Sequence, residues 1–223
     1  MNSAPPRRRD RARLPAAERR RQILDATTRL IAERGFWGLS MQDVADDCGL
    51  TVPGLLHHVG SKDNLLVAVL EHRDEEDYRS LSAELGLTGD EIAEHLTPPV
   101  TRFSSLATRV AASAHHITLP EVCAALVRRN AGQPEIVRLF AVLEAESLAP
   151  DHPAHDYFRV RQDSTIAQLS VLARDLTPEP ETLARQIMAL MDGLQIQWLR
   201  DPARVDLVAA WSAAAPALFP ARK

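Results

Sequence analysis

The sequence predicts an all-α protein. Apolar residues recur at three- and four-residue spacing through most of its 223 positions, and no alternating, strand-like run stands out. Alanine and leucine abound, and proline, glycine and serine or threonine caps separate one periodic segment from the next. Apolar content is 45%, enough for a chain of this length to bury a real core.

Residues 1–14, MNSAPPRRRDRARL, carry Pro5-Pro6 and five arginines. This composition predicts a disordered basic arm. It is either a solvated tail or an arm that follows phosphates or enters a minor groove. Pro15 to Arg34 reads as the first helix, with Ile23, Leu24, Ala26, Leu30 and Ile31 as its buried stripe. Arg19, Arg20 and Arg21 cluster at its front, and Gly35 closes it. Phe36 and Trp37 are expected to plug the core behind it.

Ser40 to Lys62, SMQDVADDCGLTVPGLLHHVGSK, organises the rest. Met41, Val44, Ala45 and Cys48 fall on one helical face after Ser40, an N-cap candidate. Gly49 ends this helix because glycine enters the left-handed region at little cost. Leu50 pins the turn, and Thr51 can cap a second helix with Val52 and Pro53 in its first turn. Leu55 and Val59 face the core. Thr51, Val52, Pro53, His57 and His58 are left available to a partner. The pattern is that of a helix-turn-helix, whose second helix enters the major groove, or of an αα-corner in a helical protein.

Residues 18–70 resemble the N-terminal domain of the tetracycline-repressor (TetR) family. The likeness lies in Ala32-Glu33-Arg34-Gly35-Phe36, Val44-Ala45, Gly49-Leu50-Thr51, and Leu55 through Lys62 with His57-His58 and Gly60-Ser61-Lys62. The resemblance implies a three-helix DNA-binding head leading into a fourth helix. It further implies a homodimeric transcription regulator, usually a repressor released by a small ligand. Such a dimer would read a palindromic operator in double-stranded DNA. On that reading Arg19, Arg20, Arg21, Ser40, His57 and Lys62 position the backbone. Gln42, Thr51, Val52, Pro53 and His58 lie nearest the bases. Two positions depart from the family: Leu56 stands where a tyrosine commonly touches a phosphate, and Pro53 where a small residue is usual. Pro53 offers an apolar edge to a thymine methyl.

Ser61 caps the fourth helix, which docks to the head through Leu65, Leu66, Val69 and Leu70. The charge run Glu71–Ser80 reads as a solvated face. Thr88 and Glu91 have capping-box spacing, Pro98-Pro99 breaks the pattern, and 102–114 suggests a further helix. Thr118-Leu119-Pro120-Glu121 is a clearer start, followed by Val122, Ala125, Leu126 and Arg129. Pro134 opens a helix with Ile136, Val137, Phe140 and Leu143 on its apolar side. Residues 147–153 form a turn, and a long helix runs from about Ala154 to Asp175. Two last helices follow, one after Thr177-Pro178 and one starting at Asp201-Pro202. Both are expected to be long and to offer Ile187, Leu190, Met191, Leu194, Trp198, Leu207, Trp211 and Leu218 to a second copy. The alternative is that these residues form intramolecular core. The domains are thus the arm at 1–14, the head at 15–64, and an effector-binding and dimerisation domain at 65–223. The resemblance implies an effector pocket in that last domain, and Phe103, Leu126, Phe140, Glu144, Tyr157, Gln195 and Trp198 are its candidate lining.

The formal net charge is −4, but residues 1–62 hold eleven Arg/Lys against seven Asp/Glu, while residues 63–223 hold fifteen against twenty-three. A basic head on an acidic body suits a protein that sets one end on a polyanion. Cys48 and Cys123 suggest neither disulfide nor zinc site, and the adjacent histidine pairs point too far apart on a helix to share an ion. No cofactor, metal or catalytic motif is expected. No signal peptide or membrane span is read, so a soluble cytoplasmic protein is expected. A helical ligand-binding module without operator binding remains the alternative function.

Overall fold

The computed structural model describes residues 14–87, 110 and 117–219. The arm at 1–13, the Thr88/Glu91 capping box, Phe103 and most of the helix expected at 102–114 lie outside the described residues. Among those described, nine α-helices and no β-strand are found: α1 (Ala16–Arg34), α2 (Met41–Cys48), α3 (Val52–Val59), α4 (Lys62–Glu84), α5 (Leu119–Ala131), α6 (Pro134–Glu146), α7 (His155–Ala173), α8 (Pro180–Arg200) and α9 (Leu207–Ala214). None of these helices is long and apolar enough to cross a membrane.

The head is built by local chemistry. Gly35 ends α1 at φ 71°, and its amide returns to the Ile31 carbonyl. Ser40 caps α2, and Asp43 reciprocates to the Ser40 N–H at 3.0 Å, closing a capping box. The Ser40 hydroxyl and N–H in turn hold the Asp43 carboxyl below the usual carboxylate range. Gly49 ends α2 in the left-handed region, φ 64° and ψ 37°. Thr51 caps α3 by accepting the Gly54 N–H at 3.2 Å, and Pro53 sits in the first turn where no N–H is needed. Thr27 and Thr28 are also buried, each hydroxyl returned to the carbonyl four residues back.

The head's core does not stop at residue 64. Ile23, Ile31, Phe36, Val44 and Leu55 pack with Leu65, Leu66, Val69 and Leu70 of α4, and with Leu139 and Leu143 of α6. A second core joins α5, α7, α8 and α9 around Cys123, Leu169, Ile187, Trp198 and Trp211.

Three expectations are corrected. Phe36 is buried, but Trp37 is 57% exposed, because the turn after Gly35 spends its inward position on Phe36. The charge run of α4 is not a solvated face throughout: Asp74 and Asp77 are 1% and 5% exposed. The last helix is neither long nor started at Pro202. Residues 202–204 form a turn, Asp206 caps α9 by accepting the Ala209 N–H at 2.9 Å, and a 3-10 turn at Ala215–Ala217 ends it around Pro216.

Candidate nucleic-acid interface and body cavity

Leu55 and Val59 anchor α3 to the head core, which turns its opposite side outward. Thr51, Pro53, Leu56, His57 and His58 are exposed there, the two imidazoles edge to face at 5.7 Å, while Val52 is half-buried against the core. Leu56, noted in the sequence only for the tyrosine it replaces, is thus an apolar patch on this edge, 37% exposed. Gln42 is exposed on α2 and donates to Asp46 at 2.7 Å. The Ser40 hydroxyl is committed to its capping box. Arg20 and Arg21 are exposed, whereas Arg19 is half-buried, donating to Gln22 at 2.6 Å and to the Cys48 carbonyl at 3.4 Å. Arg19 therefore ties α1 to the end of α2. Lys62 lies in the first turn of α4, its Nζ 4.3 Å from the Phe36 ring centre.

The body holds a cavity of about 350 Å³ between α5, α6, α7 and α8. Leu126, Phe140, Glu144 and Gln195 line it, with Asp77, Arg129, Arg161 and Asp192, which sequence periodicity did not single out as lining. Tyr157 and Trp198 do not line it. Tyr157 is buried with its hydroxyl on Asp74, and Trp198 belongs to the second core. Beside the cavity, Arg129 pairs with Asp77 at 2.9 Å, and Gln133's amide lies against both. Arg161 bonds Asp74 at 3.3 Å. Burial is the largest single influence on Arg161 and opposes its charge, but Asp74, Tyr157 and Asp77 together outweigh it and the guanidinium is held charged.

α6 joins the cavity to the head. Its cavity side carries Ile136, Phe140 and Glu144, and its other side carries Leu139 and Leu143 into the head core. Glu146, in its last turn, accepts the Phe36 N–H at 2.7 Å. His152, 3% exposed, packs on Phe36 and Trp37 at 5.1 and 5.4 Å between ring centres. Its Nδ1 accepts the Ala154 N–H, so the neutral ring carries its proton on Nε2, 3.9 Å from Glu146. Burial holds this imidazole below the ordinary histidine range, against the pull of Glu146.

Ile187, Trp198, Leu207 and Trp211 were expected at a face for a second copy; they are buried in the protomer's own core, because α8 packs chiefly on α7 and α9 on α5. Leu190, Met191, Leu194 and Leu218 are half-buried against that core, Met191 also lining the cavity. Among the exposed residues of α8, Ala189, Gly193, Ile196 and Arg200 fall on one strip. Both cysteines are buried and free. Among the described residues no group of three or more His, Cys, Asp or Glu is placed to hold a metal ion.

Residues 23–69, which are α1 from its buried stripe through α2, α3 and the docking turns of α4, match the family model described as bacterial regulatory proteins, tetR family. Over this stretch the chain is similar to the head of TetR-family regulators. The regulator BetI of Brucella anthropi is 37% identical to it over 71 residues, 31% of this chain and 36% of that relative, so the chain spans about a third of the relative's length in the match. Beyond that stretch the likeness is one of fold. A transcriptional regulator from Rhodococcus sp. Rha1 superposes with a TM-score of 0.64 at 19% identity, over 89% of this chain and 95% of that one. AibR, solved in complex with isovaleryl coenzyme A and operator DNA, superposes with a TM-score of 0.57 at 22% identity, over 91% and 98%.

Proposed function

We propose that the protein is a dimeric, sequence-specific DNA-binding transcription regulator, a repressor whose head is released when a small molecule fills the body cavity. The observation that carries this is the open edge of α3, where Thr51, Pro53, Leu56, His57 and His58 stand together on a helix held from behind by Leu55 and Val59. A recognition helix offers its N-terminal half to base edges in this way. Arg20, Arg21 and Lys62 supply positive charge beside it, and Ser40, Arg19 and His57 serve as positioning groups, Arg19 through its hold on the end of α2. Gln42, Thr51, Val52, Pro53 and His58 are the residues nearest the bases.

The cavity and α6 support the release step. One side of α6 lines the cavity and the other completes the head core, so a ligand that displaces α6 also moves the floor under α1. For the dimer, the small residues Ala189 and Gly193 on the open strip of α8 allow close helix approach, and Ala209 and Ala213 leave a similar strip on α9. Two heads related by a twofold axis would read half-sites about one helical turn apart, ~34–36 Å, or a multiple of that.

The experiment is selection of bound duplexes from randomised DNA at physiological salt. A palindromic consensus is the expected result. Salt-sensitive binding without a consensus would reduce the head to a basic surface. No binding would leave a helical ligand-binding module.

A further inference from the structure

The charges around the cavity do not cancel. Arg129 is paired with Asp77 at 2.9 Å, and Arg161 with Asp74 at 3.3 Å. Arg161 is further occupied by the Phe140 ring, 4.6 Å from its guanidinium carbon. Both arginines are therefore committed to carboxylates of α4 rather than offered to a ligand. Glu144 of α6 and Asp192 of α8 line the same cavity, and neither forms an ion pair with a described residue. Asp192 lines the cavity while part of its surface is exposed. Desolvation, and then the charge of Glu144, push that carboxyl up to about 6, with Arg161 pulling the other way. Two carboxylates that line one largely apolar cavity, neither in an ion pair with a described residue, are costly to keep charged together. The rest of the wall includes Leu126, Ile136, Met188 and Met191. Methionines let such a wall adapt to the shape of an apolar body.

We infer that the cavity takes an amphiphilic organic cation, its apolar body against Leu126, Ile136, Phe140 and the two methionines and its ammonium between Glu144 and Asp192. The inference rests on the effector reading above and names its ligand class. A cation removes the repulsion between the two carboxylates and replaces the water they lose. An anionic amphiphile of the same length meets two like charges and finds both arginines occupied. The volume, about 350 Å³, lies at the low end for ligand pockets and suits a single short chain or ring system.

The test is calorimetric titration of the full chain at pH 7.5 with three ten-carbon probes below their micellar concentrations: decylammonium, decan-1-ol and decanoate. Decylammonium is expected to bind about tenfold tighter than decan-1-ol, with decanoate weakest, as a charge-assisted contact to two carboxylates implies. The variant Glu144→Gln/Asp192→Asn, checked for folding by its thermal melt, should bring the ammonium-to-alcohol ratio below about threefold. Decanoate binding as tightly as decylammonium overturns the inference, and so does a double variant that keeps the full ratio. Duplex selection on the same preparation separates the two readings. A consensus without ammonium preference overturns this inference alone. Ammonium preference without duplex binding upholds it and overturns the regulator reading.

Discussion

Lys62 does two jobs at once. Its ammonium sits 4.3 Å over the Phe36 ring, and its backbone lies in the first turn of α4, where free N–H groups and the helix dipole favour an anion. A phosphate contact there carries no sequence information. Lys62→Ala is therefore expected to weaken binding to all duplexes alike and to reduce the salt slope by about 0.9, the share of one phosphate. Altered sequence preference in that variant would reassign the residue. Asp192 gives the second residue-scale prediction. Its folded pKa is raised to about 6 from the ordinary aspartate value of 3.8, so between those values the folded state binds more protons than the unfolded chain. Stability from this group is therefore present below about pH 4 and lost as pH rises through about 6. Asp192→Asn should raise the melting temperature at pH 7.5 and leave it unchanged at pH 4. Equal effects at both would show that the carboxyl is not crowded. At this scale the caps were legible, since Ser40, Thr51, Ser61 and Thr118 bond groups three residues away. Asp74 and Asp77 were not, because their partners Arg161 and Arg129 lie 87 and 52 residues off. A charge run shows periodicity but not what packs against it.

α4 and α6 carry the structural load between head and body. Asp74 is 1% exposed and meets both Arg161 and Tyr157, so removing it takes away the carboxylate that both of these groups use. Asp74→Ala is expected to cost about 3 kcal/mol in denaturant unfolding, the usual size for breaking a buried pair from one side. A loss under ~0.5 kcal/mol, as for a surface pair, would return the run to solvent. For α6 the relevant contact is Glu146 on the Phe36 amide. Gly35 beside it has no room for a side chain, since a Cβ there would run into that carboxylate. Glu146→Ala should lower stability by about 1–2 kcal/mol, the worth of a charge-assisted hydrogen bond in a half-buried site. It should also blunt any release of DNA by a cavity ligand, measured as the ratio of duplex affinities with and without decylammonium. Helix existence and order from α5 to α8 were readable from period and caps. The length of α9 was not, because an alanine-rich run past Trp211 looks helical in sequence while Pro216 and packing decide where it stops.

Across the whole molecule, the fold class and the head followed from short-range signals: a capped helix, a left-handed glycine, a second capped helix with proline in its first turn. The cavity did not, since its wall draws on α4, α5, α6, α7 and α8 and only their packing brings Glu144 and Asp192 together. The proposed face for a second copy was also not where the sequence pointed. Apolar periodicity marks the strip of α8 that is buried, and the buried strip proved to be the protomer's own core. Whether the outer edge of α3 reads DNA sequence is measured directly by duplex selection with the wild-type protein and the variant Pro53→Ala/His58→Ala in parallel. The variant is expected to lose preference at one or two positions, placed symmetrically in both half-sites, at ~1–3 kcal/mol each, while the rest of the consensus and the half-site spacing stay as they were. An unchanged consensus would mean that α3 does not face the bases and that the head binds DNA by another surface.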